Sequence, residues 1–171
     1  QGAVTPVADQ GQCADSIAVD VAAVVASSLF VADRSQGLVP LSIEQINVCT
    51  DGCLGSTPVK TVDWFMKNAG GNIATKATYD NGGSKTQCKS NTATTNGAQL
   101  EGVMKVDAND AAIMKKIETY GPVGIELDTG AEFSTYTGGI VTCKSTDVNI
   151  DDTMVVVGYN ATAVVPYWIV R

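Results

Sequence analysis

Residues 9–20 read DQGQCADSIAVD and lead from a short polar turn, through Cys13, into an apolar segment. A helix over 16–30 is predicted here, because apolar residues recur at helical spacing: Val21, Val24, Val25 and Leu29. Ser16 stands at the start of this helix, where free backbone N–H groups favour negative charge. A reactive thiol would be well placed at this point, so the stretch raises the question of a hydrolase whose nucleophile has changed.

The chain has 171 residues, of which 44% are apolar, and a formal net charge of −7. A chain of this length can bury one core, either in a single domain or in two small lobes that share a cleft. The acidic excess argues against binding to nucleic acid or to anionic lipid. Its apolar runs, such as 17–25, are too short to span a bilayer, and we expect a soluble, processed protein without a signal peptide.

The cysteines lack the paired CxxC spacing of a zinc site, and the chain contains no histidine. They are Cys13, Cys49, Cys53, Cys88 and Cys143. We therefore expect no metal and no cofactor, but disulfides formed in an oxidising compartment, with one cysteine unpaired. Asn160 begins an Asn-Ala-Thr acceptor pattern for N-glycosylation. Both features favour the secretory pathway, with a lysosome-like compartment or the extracellular space as destination.

The first half of the chain is predicted to be helical. Ser42 and Gln45 form a capping box for a short helix, and Thr57 caps a further helix that has Pro58 at its first position. Residues 72–98 are rich in Gly, Ser, Thr and Asn, which indicates loops.

The second half is predicted to consist mostly of strands. They cover 123–127, 154–159 and 167–170, with one helix over 109–120 between the first helical half and the sheet. Helices followed by strands are typical of an α+β protein with segregated lobes.

Several blocks resemble, in order, those of the papain family of cysteine peptidases: GAVTPVADQGQC, LSIEQINVC with GC, GPVGIELD, TYTGGIVTC and VVVGYNATAVVPYWIV. The later blocks are similar to the kinetoplastid cathepsin L-like group that includes cruzipain. The resemblance covers nearly the whole chain. It implies one papain-like domain over 1–171, with a helical left lobe at about 10–100 and a β-barrel-like right lobe at about 101–171. The C-terminal part of the family fold would be absent after Arg171.

The resemblance also implies a disulfide framework. It pairs Cys13 with Cys53 and Cys49 with Cys88, and it leaves Cys143 without a partner in this chain. In the family that partner lies in a C-terminal segment, which could stay attached through Cys143.

By the same resemblance, Ser16 occupies the position of the family's catalytic cysteine and Asp152 that of its histidine. Gln10 matches the family's oxyanion-hole glutamine. The spacing between Ser16 and Asp152 lies within the family interval of roughly 130 to 150 residues. A hydroxyl needs a base that takes its proton and returns it to the leaving group, and a carboxylate is a poor substitute for an imidazole. We expect a hydrogen bond from Ser16 to Asp152 across the cleft; alternatively, both side chains point to water.

The resemblance places four further residues at the substrate cleft: Gly55, Ser56, Glu126 and Asp151. Ser56 replaces a family glycine and would crowd an extended peptide. Glu126 has two interpretations, either a residue of the main specificity pocket or an outward carboxylate on a half-buried strand. In the first case the cleft is acidic.

Three hypotheses about function follow. The chain is an inactive pseudoenzyme that keeps a cleft for a peptide, a propeptide or a protein inhibitor. Alternatively, it is an active lysosomal or secreted endopeptidase of the cruzipain-like group whose recorded sequence is imperfect or incomplete. The third possibility is a structural or interaction protein that does not use the cleft.

Overall fold

A computed structural model describes residues 2–8, 16–50, 56–80, 87–90, 97–142 and 148–171 of the chain. The helices of these residues are α1 (Ser16–Ala32), α2 (Ile43–Cys49), α3 (Pro58–Asn68), α4 (Lys76–Asp80), α5 (Asp110–Tyr120) and α6 (Gly130–Ser134), with a short 3-10 helix at Arg34–Gln36. The strands are β1 (Asn72–Ile73), β2 (Ala98–Gln99), β3 (Val123–Leu127), β4 (Asp152–Asn160) and β5 (Tyr167–Val170).

The strands form two antiparallel sheets. In the smaller sheet β1 pairs with β2, and in the larger one the order is β3-β4-β5. The larger sheet lies in the second half of the chain, as its alternating and continuous apolar runs predict. The order of helices and then strands confirms the α+β prediction, whereas the lobe boundary near residue 100 stays a prediction.

The main core belongs to the helical half of the chain. Buried side chains from α1, α2, α3 and the small sheet form one cluster, which includes Ala18, Val21, Ile46, Phe65 and Ile73. A second buried point lies in the larger sheet, where Val155 and Val156 of β4 are at most 2% exposed. Helix α1 contacts both regions, since it packs against α2 and α3 on one side and against β3 and β4 on the other.

The buried surface of α1 differs from the predicted apolar stripe. Leu29 is 38% exposed, whereas four alanines, Ala18, Ala22, Ala23 and Ala26, are at most 6% exposed. Because α1 is covered by helices on one side and by the sheet on the other, it is buried on more than one face. Small side chains let its backbone approach both neighbours, and the periodicity of the large residues was therefore a poor guide to burial.

The start of α2 contains only half of the predicted capping box. Ser42 Oγ accepts a hydrogen bond from the Gln45 N–H at 3.0 Å. The Gln45 side chain does not return to Ser42; its Oε1 accepts from the Ala74 N–H at 2.7 Å, and the Ser42 N–H donates to the Ala74 carbonyl. Gln45 is fully buried, so its amide joins α2 to the segment after β1 instead of closing a local cap.

Residues 72–98 carry more structure than the predicted loops. Within this stretch β1 pairs with β2, and α4 buries Tyr79 to 1% exposure. The Tyr79 hydroxyl accepts a hydrogen bond from the Lys89 N–H at 3.2 Å, which holds the segment 87–90 against α4. These elements are too short for a periodic signal, and they form because distant segments pair with them.

A disulfide joins Cys49, the last residue of α2, to Cys88. This confirms one of the two predicted pairings. Cys13, Cys53 and Cys143 lie outside the described residues, so the pairing of Cys13 with Cys53 and the free state of Cys143 stay predictions. Within the ranges given above, the helices are too short or too polar for any of them to cross a lipid bilayer.

We predict that Cys88→Ser lowers the free energy of unfolding by roughly 3 to 4 kcal/mol, because the bridge closes a loop with a sequence separation of 39. Cys88 is exposed, so the substitution removes the bridge without opening a cavity in the core. Urea unfolding measures the difference. Gln87→Ser, at the exposed neighbouring position, is the control and should change stability by less than about 0.5 kcal/mol. Equal stability of Cys88→Ser and the unmodified protein would contradict the prediction.

Candidate functional site

The first residues of α1 and β4 meet where the two halves of the chain join. Ser16 begins α1 and Asp152 begins β4, and both side chains are half-buried. The hydroxyl of Thr153, the second residue of β4, donates a hydrogen bond to Ser16 Oγ at 3.0 Å. Two predicted site residues thus lie at one junction, and a third residue, which the sequence analysis did not consider, makes the contact with Ser16.

The predicted hydrogen bond between Ser16 and Asp152 is wrong in its partner. Successive side chains of a strand alternate between its two faces. Of the first two residues of β4, it is Thr153 whose hydroxyl contacts Ser16, whereas Asp152 lines the same cavity without a hydrogen bond to Ser16. Thr153 lies on the α1 side of the sheet. Val155 lies two residues further along on the same face, and Gly124, the cross-strand partner of Val155, comes close to Val24 of α1. Asp152 Oδ1 instead accepts from the Thr153 N–H at 2.7 Å.

Asp20 lies one helical turn after Ser16 and is only 8% exposed. Burial raises its pKa from 3.8 to about 6; the Thr153 hydrogen bond lowers the pKa, the Asp152 carboxylate raises it, and the Arg171 guanidinium lowers it. Its Oδ2 is buried and has no hydrogen-bond partner. Asp20 is therefore a buried acid whose charged form is only partly compensated by its surroundings.

Arg171, the residue that follows β5, contributes a positive charge to the site. Its backbone pairs with Val155, which fixes the residue beside β4. The guanidinium donates to the carbonyl oxygen and to the hydroxyl of Thr5, and at 2.9 Å to the carbonyl oxygen of Pro6. Arg171 thus ties the N-terminal segment to the sheet, and its influence on Asp20 is through charge.

These groups surround a cavity of about 160 Å³. Its polar lining consists of Ser16, Asp20, Asp152, Thr153 and Arg171, and its apolar lining includes Val7, Val19 and Met154. Two carboxylates and one guanidinium give the wall an excess of negative charge. Across the described ranges, no group of three or more His, Cys, Asp or Glu side chains is arranged to hold a metal ion.

The structure places the other predicted site residues away from this cavity or leaves them outside its ranges. Gln10 and Gly55 lie outside the described residues. The Ser56 hydroxyl accepts from the Thr61 hydroxyl at 3.3 Å and so joins the first turn of α3. Asp151 Oδ1 accepts from the N–H and the hydroxyl of Thr129, which closes the connection after β3. Asp151 therefore has a structural partner in the exposed loop.

Glu126 is exposed on β3, and its cross-strand partner is Thr153. Directly opposed residues of an antiparallel pair lie on the same face of the sheet, so Glu126 shares the face that meets the start of α1. The apolar residues Val123, Ile125 and Leu127 are half-buried on the other face, as predicted. Glu126 is an open carboxylate beside the junction, and its role in a specificity pocket stays a prediction.

Three residues of the site were missed by the sequence analysis as functional candidates: Asp20, Thr153 and Arg171. For Asp20 a signal was present, because it is the one charged residue inside the apolar run 17–25. An acid in the interior of a buried helix is uncommon unless it is paired or functional. Thr153 and Arg171 carried no comparable signal, since their contacts depend on strand pairing.

Comparisons with known proteins agree with this architecture. The sequence pattern of the papain family cysteine proteases matches residues 1–171. The chain is 30% identical over 178 residues to cysteine proteinase B of Leishmania mexicana and 32% identical over 177 residues to a cysteine proteinase of Trypanosoma brucei brucei. All of this chain is covered, but it spans only 39% and 38% of those relatives.

Solved structures show the same fold. The bromelain protease of Ananas comosus, determined in complex with the E64 inhibitor, superposes with a TM-score of 0.81 at 25% identity, over 99% of this chain and 78% of that one. Procathepsin L2 of Tenebrio molitor superposes with a TM-score of 0.79 at 25% identity, over 100% of this chain and 55% of that one. The chain belongs to the papain family of cysteine proteases, and the predicted papain-like fold is confirmed.

We predict that Asp20 makes stability depend on pH. Its folded-state pKa is raised to about 6, so the folded chain holds the proton more tightly than the unfolded chain, and stability falls as the pH rises from about 4 to about 6. Asp20→Asn removes this dependence. The difference in free energy of unfolding between Asp20→Asn and the unmodified protein should grow by up to about 3 kcal/mol between pH 4 and pH 7.

Urea unfolding at several pH values measures this difference. Asp63→Asn, on the exposed face of α3, is the matched control and should follow the unmodified protein. A constant difference between Asp20→Asn and the unmodified protein across this pH range would refute the assignment.

Proposed function

We propose that this chain is a papain-family protein that has lost peptide hydrolysis and retains its cleft for binding. The observation that carries the proposal is the partner of Ser16: a threonine hydroxyl lies at 3.0 Å from its Oγ, and the 171 residues contain no histidine. The residue that family resemblance assigns as the nucleophile is thus hydrogen-bonded to a second hydroxyl and not to a base.

Hydrolysis by a serine requires a base that accepts the hydroxyl proton and then protonates the leaving amine. Thr153 is not such a base, because a hydroxyl does not take up a proton at neutral pH. Asp20 is a base, but its side chain contacts the Thr153 hydroxyl and not Ser16 Oγ, so it does not take the Ser16 proton directly. The carboxylate of Asp152 accepts from the N–H of Thr153 through one oxygen, and it makes no hydrogen bond with Ser16. Among the described residues of the junction, no group combines the two tasks of an imidazole.

The scaffold that would hold a ligand remains. The relatives named above are cysteine proteinases, and a fold of this kind can keep its binding surface when the chemistry is lost. A peptide, a propeptide or the inserted segment of a protein inhibitor would meet acidic groups here: Asp20 and Asp152 in the cavity and Glu126 in the open beside it. We therefore expect ligands with basic side chains.

We predict that the protein does not cleave a dipeptidyl fluorogenic substrate and does not react with a thiol-directed epoxide. Loss of the thiolate should lower the rate by several orders of magnitude. Ser16→Ala is the matched control and should give the same background fluorescence as the unmodified protein. Turnover that disappears in Ser16→Ala would establish an active serine and refute the proposal. Turnover that the epoxide blocks, with an intact mass that departs from this sequence, would favour the active cysteine peptidase instead.

The compartment we propose is the secretory pathway, because the Cys49–Cys88 disulfide requires an oxidising environment. An acceptor site for glycosylation lies at the end of β4. Asn160 Oδ1 accepts from the N–H and the hydroxyl of Thr162 and from the Ala163 N–H, and Thr162 is exposed. The side chains that the acceptor pattern requires are thus already in contact.

We predict a glycan on Asn160 when the chain is produced through a eukaryotic secretory pathway. Treatment with an N-glycosidase should then increase its mobility in gel electrophoresis. Thr162→Ala should abolish the modification, whereas Thr162→Ser should retain it because serine also satisfies the acceptor pattern. Identical mobility of the unmodified chain and Thr162→Ala would exclude a glycan at this position.

A further inference from the structure

The cavity at the junction of α1 and β4 is lined by more negative than positive charge. Asp20 and Asp152 contribute carboxylates, and Arg171 contributes the opposing guanidinium. The guanidinium directs three hydrogen bonds to the backbone and hydroxyl of Thr5 and to Pro6, so its donors serve the N-terminal segment. The carboxylates therefore feel its charge without receiving those donors.

Asp20 is a residue of the cavity lining that lacks a hydrogen-bond partner for one of its oxygens. It is 92% buried, and its Oδ2 has no hydrogen-bond partner although the side chain lines the cavity. A buried carboxylate without a donor is costly, and a positively charged donor beside it would offset that cost. The empty volume next to Asp20 is where such a donor can be accommodated.

The remaining lining restricts what the donor can be. Ser16 Oγ accepts from Thr153 and keeps a second lone pair, and Asp152 keeps the oxygen that the Thr153 N–H does not use. Asp20, Asp152 and Ser16 thus offer three acceptors to one group. A primary ammonium has three N–H donors around a compact charge, which matches this number. Among the described residues, no group of three or more His, Cys, Asp or Glu side chains is arranged to hold a metal ion.

The size of the cavity agrees with an alkylammonium chain. Its volume is about 160 Å³, and one water occupies about 30 Å³ of liquid, so about five water-sized groups can be accommodated. The side chain of lysine beyond its β-carbon has four heavy atoms, three of them apolar, and the apolar lining by Val7, Val19 and Met154 suits such a stem.

We propose that this cavity binds a primary ammonium group, presented by a lysine side chain of a bound peptide and held by Asp20, Asp152 and Ser16. This inference rests on the proposed binding function of the cleft and names the chemistry that the cleft selects. The ammonium takes the place beside Asp20 where no donor now lies.

Binding is coupled to the proton on Asp20. Of the described residues, those that face Asp20 with a charged or polar group are Asp152 from β4, Arg171 with its guanidinium and Thr153 with its hydroxyl, and residues 7 and 8 add no ionisable group. Because the pKa of Asp20 is about 6, its charged form predominates above that pH. Affinity for the ammonium should therefore rise with pH. At pH 5 it should be about tenfold weaker than on the plateau above pH 7.

The test uses n-butylammonium as the probe, with the folded full chain and constant ionic strength. Chemical shifts of the Asp20 carboxyl carbon, followed by NMR, should show a lower apparent pKa when the probe is present. The matched control compound is n-butyltrimethylammonium, which has the same charge and chain but no N–H donors. An Asp20 pKa that is unchanged by n-butylammonium, or is lowered equally by both compounds, would overturn the proposal without need of any variant.

Variants then locate the site. Asp20→Asn should weaken n-butylammonium binding at least tenfold and abolish its pH dependence, whereas Asp63→Asn should bind as the unmodified protein does. Asp152→Asn should weaken binding by a smaller factor, since its carboxylate is more exposed to solvent than that of Asp20. Equal binding by Asp20→Asn and Asp63→Asn would contradict the assignment.

Three peptides identify the source of the ammonium. Acetyl-Ala-Lys-Ala-amide should bind. Acetyl-Ala-norleucine-Ala-amide, whose side chain has the same four carbons without the ammonium group, should not. A norleucine peptide with a free N-terminus separates a lysine side chain from an α-amino group, and binding of that peptide alone would overturn the assignment to lysine. Because n-butylammonium contains no peptide bond, its failure to bind would contradict the ammonium site without bearing on whether the protein hydrolyses peptides.

Discussion

Helix α1 is buried between two different surfaces, and the rest of the structure depends on that constraint. It packs against α2 and α3 on one side and against β3 and β4 on the other. The buried alanines of α1 allow close approach to these neighbours. A helix that is covered in this way fixes the relation between the two halves of the chain. It also places whatever stands at its first turn at their junction.

At the junction of α1 and β4, burial disfavours the charged form of Asp20 and leaves one of its oxygens as an unused acceptor. Asp20 introduces an acid into the interior of α1, and its raised pKa expresses the unfavourable environment of its charged form. An apolar or small side chain at this position would be less costly at neutral pH. Sites that retain such a cost are often those that bind a ligand, since preorganised but poorly satisfied groups gain most when the ligand arrives. In our proposal, the same acid gives the cavity at the junction a preference for cations.

Family membership does not by itself establish the activity of this protein. The fold is that of the papain family over the whole chain, and its relatives are proteinases. The contact at Ser16, however, is between two hydroxyls, and a second hydroxyl is not the base that a hydroxyl nucleophile needs. A scaffold can thus be inherited with its cleft while a few side chains alter what the cleft does. The proposed binding of a charged side chain requires only acceptors and space, and the cavity provides both.

Local signals in the sequence determined much of this protein. The cap formed by Thr57 and the bounds of β5 follow from short patterns, because capping and strand alternation involve neighbours in the chain. The motif order was sufficient for the family, the fold and the Cys49–Cys88 bridge.

Only the tertiary structure decided that Gln45 binds Ala74, that Thr153 and not Asp152 reaches Ser16, and that Asp20 lines a cavity. Each of these contacts joins residues far apart in sequence or depends on which face of a strand meets α1. A linear pattern specifies the periodicity of an element, but the partner of each face is set by how the elements pack.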